Sequence, residues 1–197
     1  MARVRHRLVT IVEGHGEVQS VPLLLRRMAE LFYPGRYIDI PRPIRVGRDK
    51  FLHDTREFNR QLTLAAAKAA PSGCILVLLD ADDDCPAQLG PQTQERVTQT
   101  LPRCPARVVL AHREFESWFI AAADSLAGFR GLPADLIAPA DPERSRDAKG
   151  WIGQRMGNYD SRVDQPALTS RFDIVLAEFR SRSFRKLCSD FRSLLDA

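Results

Sequence analysis

Acidic side chains follow three of the four strand-like segments of this 197-residue sequence. Each of the three is a short apolar run, RLVTIV, CILVLL or RVVLA, and each leads within five residues to a pair of carboxylates. The pairs are Glu13 and Glu17, Asp80 and Asp82, and Glu114 and Glu116. Carboxylates are ligands that hard divalent cations prefer, so metal-ion chemistry is the first function that these pairs indicate.

The three pairs are expected to meet in space. The carboxyl ends of parallel strands lie along one edge of an open sheet, where ligands bind. Carboxylates packed there repel one another and lose hydration, and a divalent cation relieves both costs. Oxygen ligands without cysteine favour Mg²⁺ or Mn²⁺, and one or two such ions can bridge a phosphodiester and activate a water molecule. Asp80 and Asp82 can face the same ion if the backbone leaves strand geometry between them.

A simpler interpretation exists for each acid taken alone, because Asp and Glu after a strand are often helix caps or turn residues. Asp83 and Asp84 are expected to be solvated turn acids. His15 and His112 are expected to be polar loop residues, with His112 at the border of the site. Four arginines are expected on the solvated face of a carboxyl-terminal helix, with nucleic-acid contact as the alternative. They are Arg180, Arg182, Arg185 and Arg192.

The sequence lacks the motifs of several common nucleotide-binding and hydrolase classes. EGHGE has two glycines but not the third of G-x-G-x-x-G, and it begins with an acid that would repel phosphate. No G-K-[ST] is present, which excludes a P-loop, and no G-x-S-x-G anchors a serine–histidine triad. The four cysteines form no C-x-x-C pair, so disulfides and structural zinc are not expected.

Hydrophobic periodicity predicts the elements that position the acids. Strands are predicted over 4–12, 74–79 and 107–111, with a proline-bearing edge strand over 37–46. Helices are predicted over 18–32, 51–70 and 92–101, through Trp118, and in two pieces over 171–195. Ser20 with Pro22 is expected to begin the first helix, and Ser183 the last. This alternation predicts an α/β fold with a mostly parallel sheet flanked by helices.

Composition sets the broad class of the protein. Hydrophobic residues make up 44% of the chain and charged residues 27%, which is typical of a folded domain and not of a disordered chain. No apolar run approaches the roughly 20 residues of a membrane span. The amino-terminal segment does not resemble a signal peptide, so the protein is expected in the cytoplasm. The net charge of +4 is compatible with a polyanionic partner but does not require one.

The motifs resemble those of known families. The segment VEG after the first strand and Asp80-x-Asp82 after a later one resemble the signature of the Toprim domain, which serves topoisomerases, primases and OLD-type nucleases. The set VEGHGE, LVLLDADDD, HREFESWFIAA, DPERSRDAKGWI and SRSFRKL more closely resembles a bacterial Toprim-like family, domain of unknown function 4276 (DUF4276). The resemblance implies a Toprim-like α/β core over 1–125. It also implies a loop-rich, helical carboxyl-terminal extension over 126–197, packed on the same domain.

The resemblance also implies roles for individual residues. The implied metal ligands are Glu13, Glu17, Asp80, Asp82 and, after the next strand, Glu114 or Glu116. Glu13 additionally matches the general acid/base of the topoisomerases. Lys149 corresponds to a lysine that stabilises charge on the scissile phosphate. Catalysis is therefore expected to rest on Glu13, Asp80, Asp82 and Lys149.

These expectations describe a nuclease that uses one or two Mg²⁺ or Mn²⁺ ions to hydrolyse DNA or RNA. OLD-type nucleases usually carry an ATPase domain on the same chain, and this sequence has none. Members of the family it resembles tend to be encoded beside a separate ABC/AAA-type ATPase, so the resemblance implies such a partner. A role in defence against phage or mobile elements is also expected. One alternative is a non-catalytic subunit that holds a metal ion or binds such an ATPase. Another alternative is a phosphatase or a nucleotide-sugar transferase, because Asp-x-Asp after an apolar strand also occurs in those enzymes. Glu13 has no role in that interpretation.

Overall fold

Every strand pair that the structure describes is parallel, as the alternation of strands and helices predicts. The computed structural model describes residues 6–196, so the first two residues of the strand predicted over 4–12 lie outside the described residues. The five strands are β1 (His6–Val12), β2 (Ile38–Asp39), β3 (Ile44–Arg45), β4 (Cys74–Asp80) and β5 (Ala106–Ala111). Their order is β2-β1-β4-β5, and β3 also pairs with β1.

The two central strands are mostly apolar because helices cover both faces of the sheet. All seven residues of β4 are buried. Along β1, Leu8 and Val12 enter the hydrophobic cluster on one face, whereas Val9 and Ile11 enter the cluster on the other. This alternation follows from the two-residue period of a strand.

The edge strand expected over 37–46 forms as two short strands. β2 and β3 each have two residues, and each pairs with β1. Pro41 and Pro43 lie between them. Proline has no N–H to donate to a strand ladder, which explains both the interruption and the position at an edge.

The helices of the first two thirds of the chain begin and end differently from the sequence prediction in three places. The helices of this part are α1 (Glu17–Phe32), α2 (Arg48–His53), α3 (Thr55–Ala69), α4 (Pro86–Thr100) and α5 (Ser117–Ala121). Helix α1 begins before Ser20, so Ser20 and Pro22 lie inside it and do not cap it. The carbonyl of Gly16 already accepts the N–H groups of Gln19 and Ser20, which closes the first turn there.

The single helix predicted over 51–70 is divided in two. The carboxylate of Asp54 accepts the N–H groups of Arg56 and Glu57 at 2.9 and 3.1 Å, and so begins α3 as a helix separate from α2.

The helix predicted over 92–101 forms but begins earlier than expected, because α4 starts at Pro86, a residue favoured in the first turn. The side chain of Gln94 on α4 accepts the N–H of Val108 at Oε1 (2.9 Å) and donates from Nε2 to the carbonyl of Ala106 (3.1 Å). Helix α4 thereby covers the edge strand β5.

The carboxyl-terminal part is helical and shares the core of the sheet. It contains α6 (Ala148–Met156), α7 (Asp164–Thr169), α8 (Ile174–Arg180) and α9 (Arg182–Leu195). The cap of α9 is Ser181, whose hydroxyl accepts the N–H of Phe184 at 3.0 Å, and not Ser183. Ser183 has a different role, because its hydroxyl accepts the indole N–H of Trp118 at 2.9 Å. One hydrophobic cluster joins residues of β1, β4 and α1 to residues of α8 and α9.

Two further features concern the broad class of protein to which the chain belongs. Within residues 6–196, no helix combines the length and apolar character needed to cross a bilayer. The four cysteines are free thiols, of which Cys74 and Cys188 are buried.

Candidate carboxylate site

The turn after β1 is closed by its own glutamate. Glu17, the first residue of α1, is 4% exposed, and its Oε2 accepts the N–H groups of Glu13 and Gly14 at 3.0 and 3.1 Å. Burial raises the pKa of Glu17 to about 7, although these two backbone hydrogen bonds act in the opposite direction. Glu17 thus shapes the turn that presents Glu13.

Only glycine fits at position 16 of this turn, because residues of another segment lie too close for a side chain. A Cβ at Gly16 would lie 2.3 Å from the carbonyl oxygen of Ser161 and 2.5 Å from Oε1 of Gln165. Both distances are far inside van der Waals contact. The segment before and within α7 therefore packs directly on the turn that carries Glu13.

Asp80, the last residue of β4, is 8% exposed and is held by the connection after β5. Its Oδ1 accepts the N–H of Phe115 at 2.8 Å. Burial raises the pKa of Asp80 well above its ordinary value, and the nearby carboxylates of Glu17 and Glu116 raise it further. The carboxyl ends of β1, β4 and β5 thus bring their acids together.

Three carboxylates surround the ammonium group of Lys149. Its Nζ lies 3.0 Å from Oε1 of Glu114, 3.7 Å from Oε2 of Glu116 and 3.8 Å from Oδ2 of Asp80. Glu114 also accepts the N–H groups of Ala148 and Lys149 at 2.7 and 3.0 Å, which fixes the start of α6 against the site. Burial lowers the pKa of Lys149, but the carboxylates of Glu116 and Asp80 outweigh it and raise the pKa above its ordinary value.

Glu116 is fully buried, and two residues that sequence reasoning missed hold it. Its Oε1 accepts the hydroxyl of Tyr159 at 2.7 Å and Nε2 of Gln165 at 3.1 Å. Burial raises the pKa of Glu116, although Lys149 and Tyr159 lower it. Tyr159 and Gln165 lie in a segment with no motif or periodicity that could have identified them.

Asp82 lies in a second group, around Arg48. The backbone leaves strand geometry at Asp82, where φ is +49°, and Oδ2 lies 3.4 Å from Nε of Arg48. The buried guanidinium of Arg48 donates to the carbonyls of Asp80 and Ala81, each at 2.9 Å, and to Oδ2 of Asp84 at 2.5 Å. Sequence reasoning missed Arg48, and its position directly after the edge strand was the available signal.

Glu13 interacts electrostatically with both groups. It is partly buried, and burial raises its pKa, as does the charge of Asp82, whereas Arg48 and Lys149 lower it. Its Oε2 is buried and has no hydrogen-bond partner among the described residues. The structure therefore places Asp80, Glu114 and Glu116 around Lys149, Asp82 beside Arg48, and Glu13 near both.

The remaining sequence candidates have other surroundings. Asp83 is exposed and pairs with Arg113 at 2.7 Å, and His15 is exposed in the turn after β1. The imidazole Nδ1 of His112 is buried without a hydrogen bond inside the described part of the chain. Of the carboxyl-terminal arginines, Arg180 pairs with Asp124 and Arg192 with Glu178. Arg182 and Arg185 are exposed, as predicted, and form no ion pair among the described residues.

The donor chemistry of the site fits a hard divalent cation. Oε2 of Glu13 and Oε2 of Glu116 are buried acceptors without a hydrogen bond in the described residues, an arrangement that costs free energy unless a partner binds. Oxygen ligands of this kind suit Mg²⁺ or Mn²⁺. Among residues 6–196, however, no three or more His, Cys, Asp or Glu side chains already have the spacing of a metal centre.

Comparison with known proteins gives one match. A family model described as "Domain of unknown function (DUF4276)" matches residues 12–192, which span all of the acids and Lys149. Neither the search of curated proteins nor the search of solved structures found a match to the chain.

Proposed function

The chain belongs to the DUF4276 family, and we propose that it is a nuclease that uses Mg²⁺ or Mn²⁺ to hydrolyse phosphodiester bonds of DNA or RNA. The observation that carries the proposal is the convergence of Asp80, Glu114 and Glu116 on one cationic position at the carboxyl edge of a parallel sheet. Ligands bind at this edge in folds of this kind.

The residues that would hold the cation are acids of the three strand ends. Those nearest the shared position are Asp80, Glu114 and Glu116, with Glu13, Asp82 and Glu17 beside them. When bound, one or two Mg²⁺ or Mn²⁺ ions supply positive charge that polarises the phosphate and lowers the pKa of a water molecule. Asp80 and Glu116 each have one oxygen held by a protein N–H or O–H, so their second oxygens are already oriented toward this position.

Glu13 and Lys149 would carry the other steps of hydrolysis. A new bond forms between water oxygen and phosphorus, the bond from phosphorus to one ester oxygen breaks, and that oxygen takes up a proton. Glu13 would accept the proton of the attacking water at Oε2, a buried carboxylate oxygen that has no hydrogen-bond partner among the described residues. The side chain of Lys149 is 42% exposed, so its ammonium can offset charge that develops on the phosphate oxygens.

The relation to Toprim domains and OLD-type nucleases is part of the proposal. It is supported by VEG after β1 and Asp-x-Asp after β4, two strands that are neighbours in the sheet. We extend the proposal to a cytoplasmic effector of phage defence that acts with a separate ABC/AAA-type ATPase. The sequence resemblance is the support for that partner.

Loss of the two aspartates tests the proposed function. The double variant Asp80→Ala with Asp82→Ala should abolish Mg²⁺- or Mn²⁺-dependent cleavage of DNA and RNA, because it removes one acid from each group of the site. The matched control is Asp83→Ala, which removes an exposed carboxylate from the same loop and should cleave like wild type. Circular dichroism should show that both variants are folded. Cleavage by the double variant at the wild-type rate would contradict the proposal.

A non-catalytic metal-holding subunit is the second candidate. The observation that favours it is that Lys149 already compensates three of the carboxylates, while Glu17 is engaged by the backbone of its own turn. Calorimetric titration with Mn²⁺, with nuclease assays in parallel, separates the two functions. Metal binding without cleavage of DNA or RNA, alone or with an associated ATPase, would support the subunit.

A further inference from the structure

A cationic cleft lies beside the carboxylate site. It has a volume of about 840 Å³ and is lined by residues of α1 and the turn before it, of β3 and the connection from β2 to β3, and of the segment before α7. Its charged residues, which we call the arginine cleft, are Arg26, Arg42, Arg45 and Arg162, with His15 at its side. No Asp or Glu is among the described residues that line it.

Three of these guanidinium groups are available to a ligand. Arg42, Arg45 and Arg162 are exposed, and in the part of the chain that the structure describes their guanidinium groups make no hydrogen bond or ion pair. Arg26 donates one hydrogen bond, at 2.9 Å, to the carbonyl of Ile40. Arginines elsewhere, such as Arg192, are neutralised by carboxylates. The arginine cleft therefore concentrates uncompensated positive charge.

The fold joins the arginine cleft to the carboxylate site. Arg45 is the register partner of Val12, which directly precedes Glu13. On the other side, the carbonyl of Ser161 packs against Gly16, so that Arg162 lies next to the same turn. The turn of Glu13 thus has the arginine cleft on one side and the carboxylates on the other.

We propose that the arginine cleft binds the sugar-phosphate backbone of a nucleic acid adjacent to the phosphate that is cleaved. This inference rests on the proposed nuclease function. Guanidinium groups present paired N–H donors that match phosphate oxygens, and positive surface of this kind supplies the sequence-independent part of nucleic-acid affinity. A polymer with repeated phosphates can place one phosphate at the carboxylate site and its neighbours on the arginines, which a small anion cannot do.

The inference is tested by binding measurements in EDTA, where cleavage does not interfere. The probes are fluorescein-labelled single-stranded DNA, duplex DNA and RNA of one sequence, measured by anisotropy over a range of NaCl concentrations. The test variant combines Arg42→Gln, Arg45→Gln and Arg162→Gln. The control combines Arg56→Gln, Arg103→Gln and Arg171→Gln, which removes the same charge from exposed arginines outside the cleft.

The cleft variant should bind the nucleic-acid probes at least about tenfold more weakly than wild type. Because three phosphate contacts are lost, the slope of its log affinity against log salt concentration should be smaller than that of wild type by about 2 to 3. The control variant should change both quantities less. Equal losses in the two variants, or no binding of any of the three probes by wild type, would overturn the proposal.

Cleavage assays in Mn²⁺ separate this inference from the nuclease proposal. Wild-type binding that depends on the arginine cleft, without cleavage, would contradict the nuclease and support the cleft. Cleavage by wild type, together with unchanged binding and cleavage by the cleft variant, would support the nuclease and contradict the cleft.

Discussion

At the scale of single residues, four acids of the site share a feature, which is that folding makes them harder to ionise. Burial raises the pKa of Glu13, Glu17, Asp80 and Glu116, and in each case a neighbouring carboxylate adds to the effect. A group whose pKa is raised on folding binds its proton more tightly in the folded than in the unfolded chain. Its contribution to stability is therefore lost as pH rises from the ordinary carboxyl pKa to the folded pKa.

The effect of pH on stability can be measured at Glu17. Its pKa rises from 4.5 to about 7, which corresponds to a loss of about 3 kcal/mol of unfolding free energy across that window. We expect wild type to be more stable near pH 5 than near pH 8, and Glu17→Gln, which cannot ionise, to show a flatter dependence. Urea unfolding at a series of pH values measures this.

The control for Glu17 lies on the same helix. Glu30→Gln removes an exposed glutamate of α1 and should keep the wild-type pH dependence. A constant offset between Glu17→Gln and wild type at every pH would show that Glu17 does not titrate in this window.

At the scale of elements, the connections after the strands hold one another in place. The N–H of Asp82 donates to the carbonyl of Arg113 at 3.0 Å, which joins the connection after β4 to that after β5. Arg48 at the start of α2 binds two carbonyls at the end of β4. The carboxylates are thus positioned by contacts among the connections after β4 and β5 and helix α2.

Arg48 is expected to be the arginine of this network with the greatest effect on stability. Arg48→Met removes the guanidinium donor of the buried carbonyls of Asp80 and Ala81, of which only that of Ala81 keeps a second donor in the N–H of Asp84, and should cost about 1 to 3 kcal/mol of unfolding free energy. Arg113→Met breaks an ion pair with Asp83, whose side chain is 94% exposed, and should cost less than about 1 kcal/mol. Urea unfolding of both variants measures the difference, and equal losses would show that Arg48 does not organise the loop.

Two of the segments on which the sequence resemblance rests have a structural role. DPERSRDAKGWI and SRSFRKL meet at Glu143, whose Oε1 accepts the hydroxyl of Ser181 at 2.6 Å and the N–H and hydroxyl of Ser183 at 2.9 and 2.8 Å. Because Ser183 also accepts the indole N–H of Trp118, this contact anchors α9 against α5. Helix α6, which begins within the first of these segments, then carries Lys149 into the site.

At the scale of the whole molecule, the carboxyl-terminal helices complete the hydrophobic core of the sheet. Phe172, between α7 and α8, is fully buried, with ring centroids 5.5 Å from Phe119 and 5.6 Å from Phe184. Phe119 follows β5, and Phe184 belongs to α9. The aromatic contacts therefore connect the first and last parts of the chain.

Truncation of Phe172 should destabilise the whole chain in one transition. Phe172→Ala removes a buried ring from the shared cluster and should cost about 3 to 5 kcal/mol. Phe179→Ala, at a phenylalanine of α8 that is 77% exposed, should change stability by less than about 0.5 kcal/mol. Thermal unfolding followed by circular dichroism checks both. Two separate transitions in Phe172→Ala would show that the carboxyl-terminal helices unfold as an independent unit.

The sequence by itself determined the parallel sheet and the edge at which the acids gather. Strand and helix periods are local, and a parallel arrangement brings the carboxyl ends of the strands to one edge. Glu13, Asp80 and Glu116 could therefore be expected near one another before any contact was known. Helix boundaries were less predictable, because the side chain that caps a helix, such as Asp54 or Ser181, depends on where the chain turns.

Only the tertiary structure decided which groups neutralise and orient those acids. Lys149 lies 35 residues from Glu114 in the chain, Arg48 lies 32 from Asp80, and Tyr159 lies 43 from Glu116. Contacts over such separations depend on how helices pack on the sheet, which no local pattern encodes. The arginine cleft has the same origin, because α1, the edge strands and the segment before α7 come together only when the chain has folded.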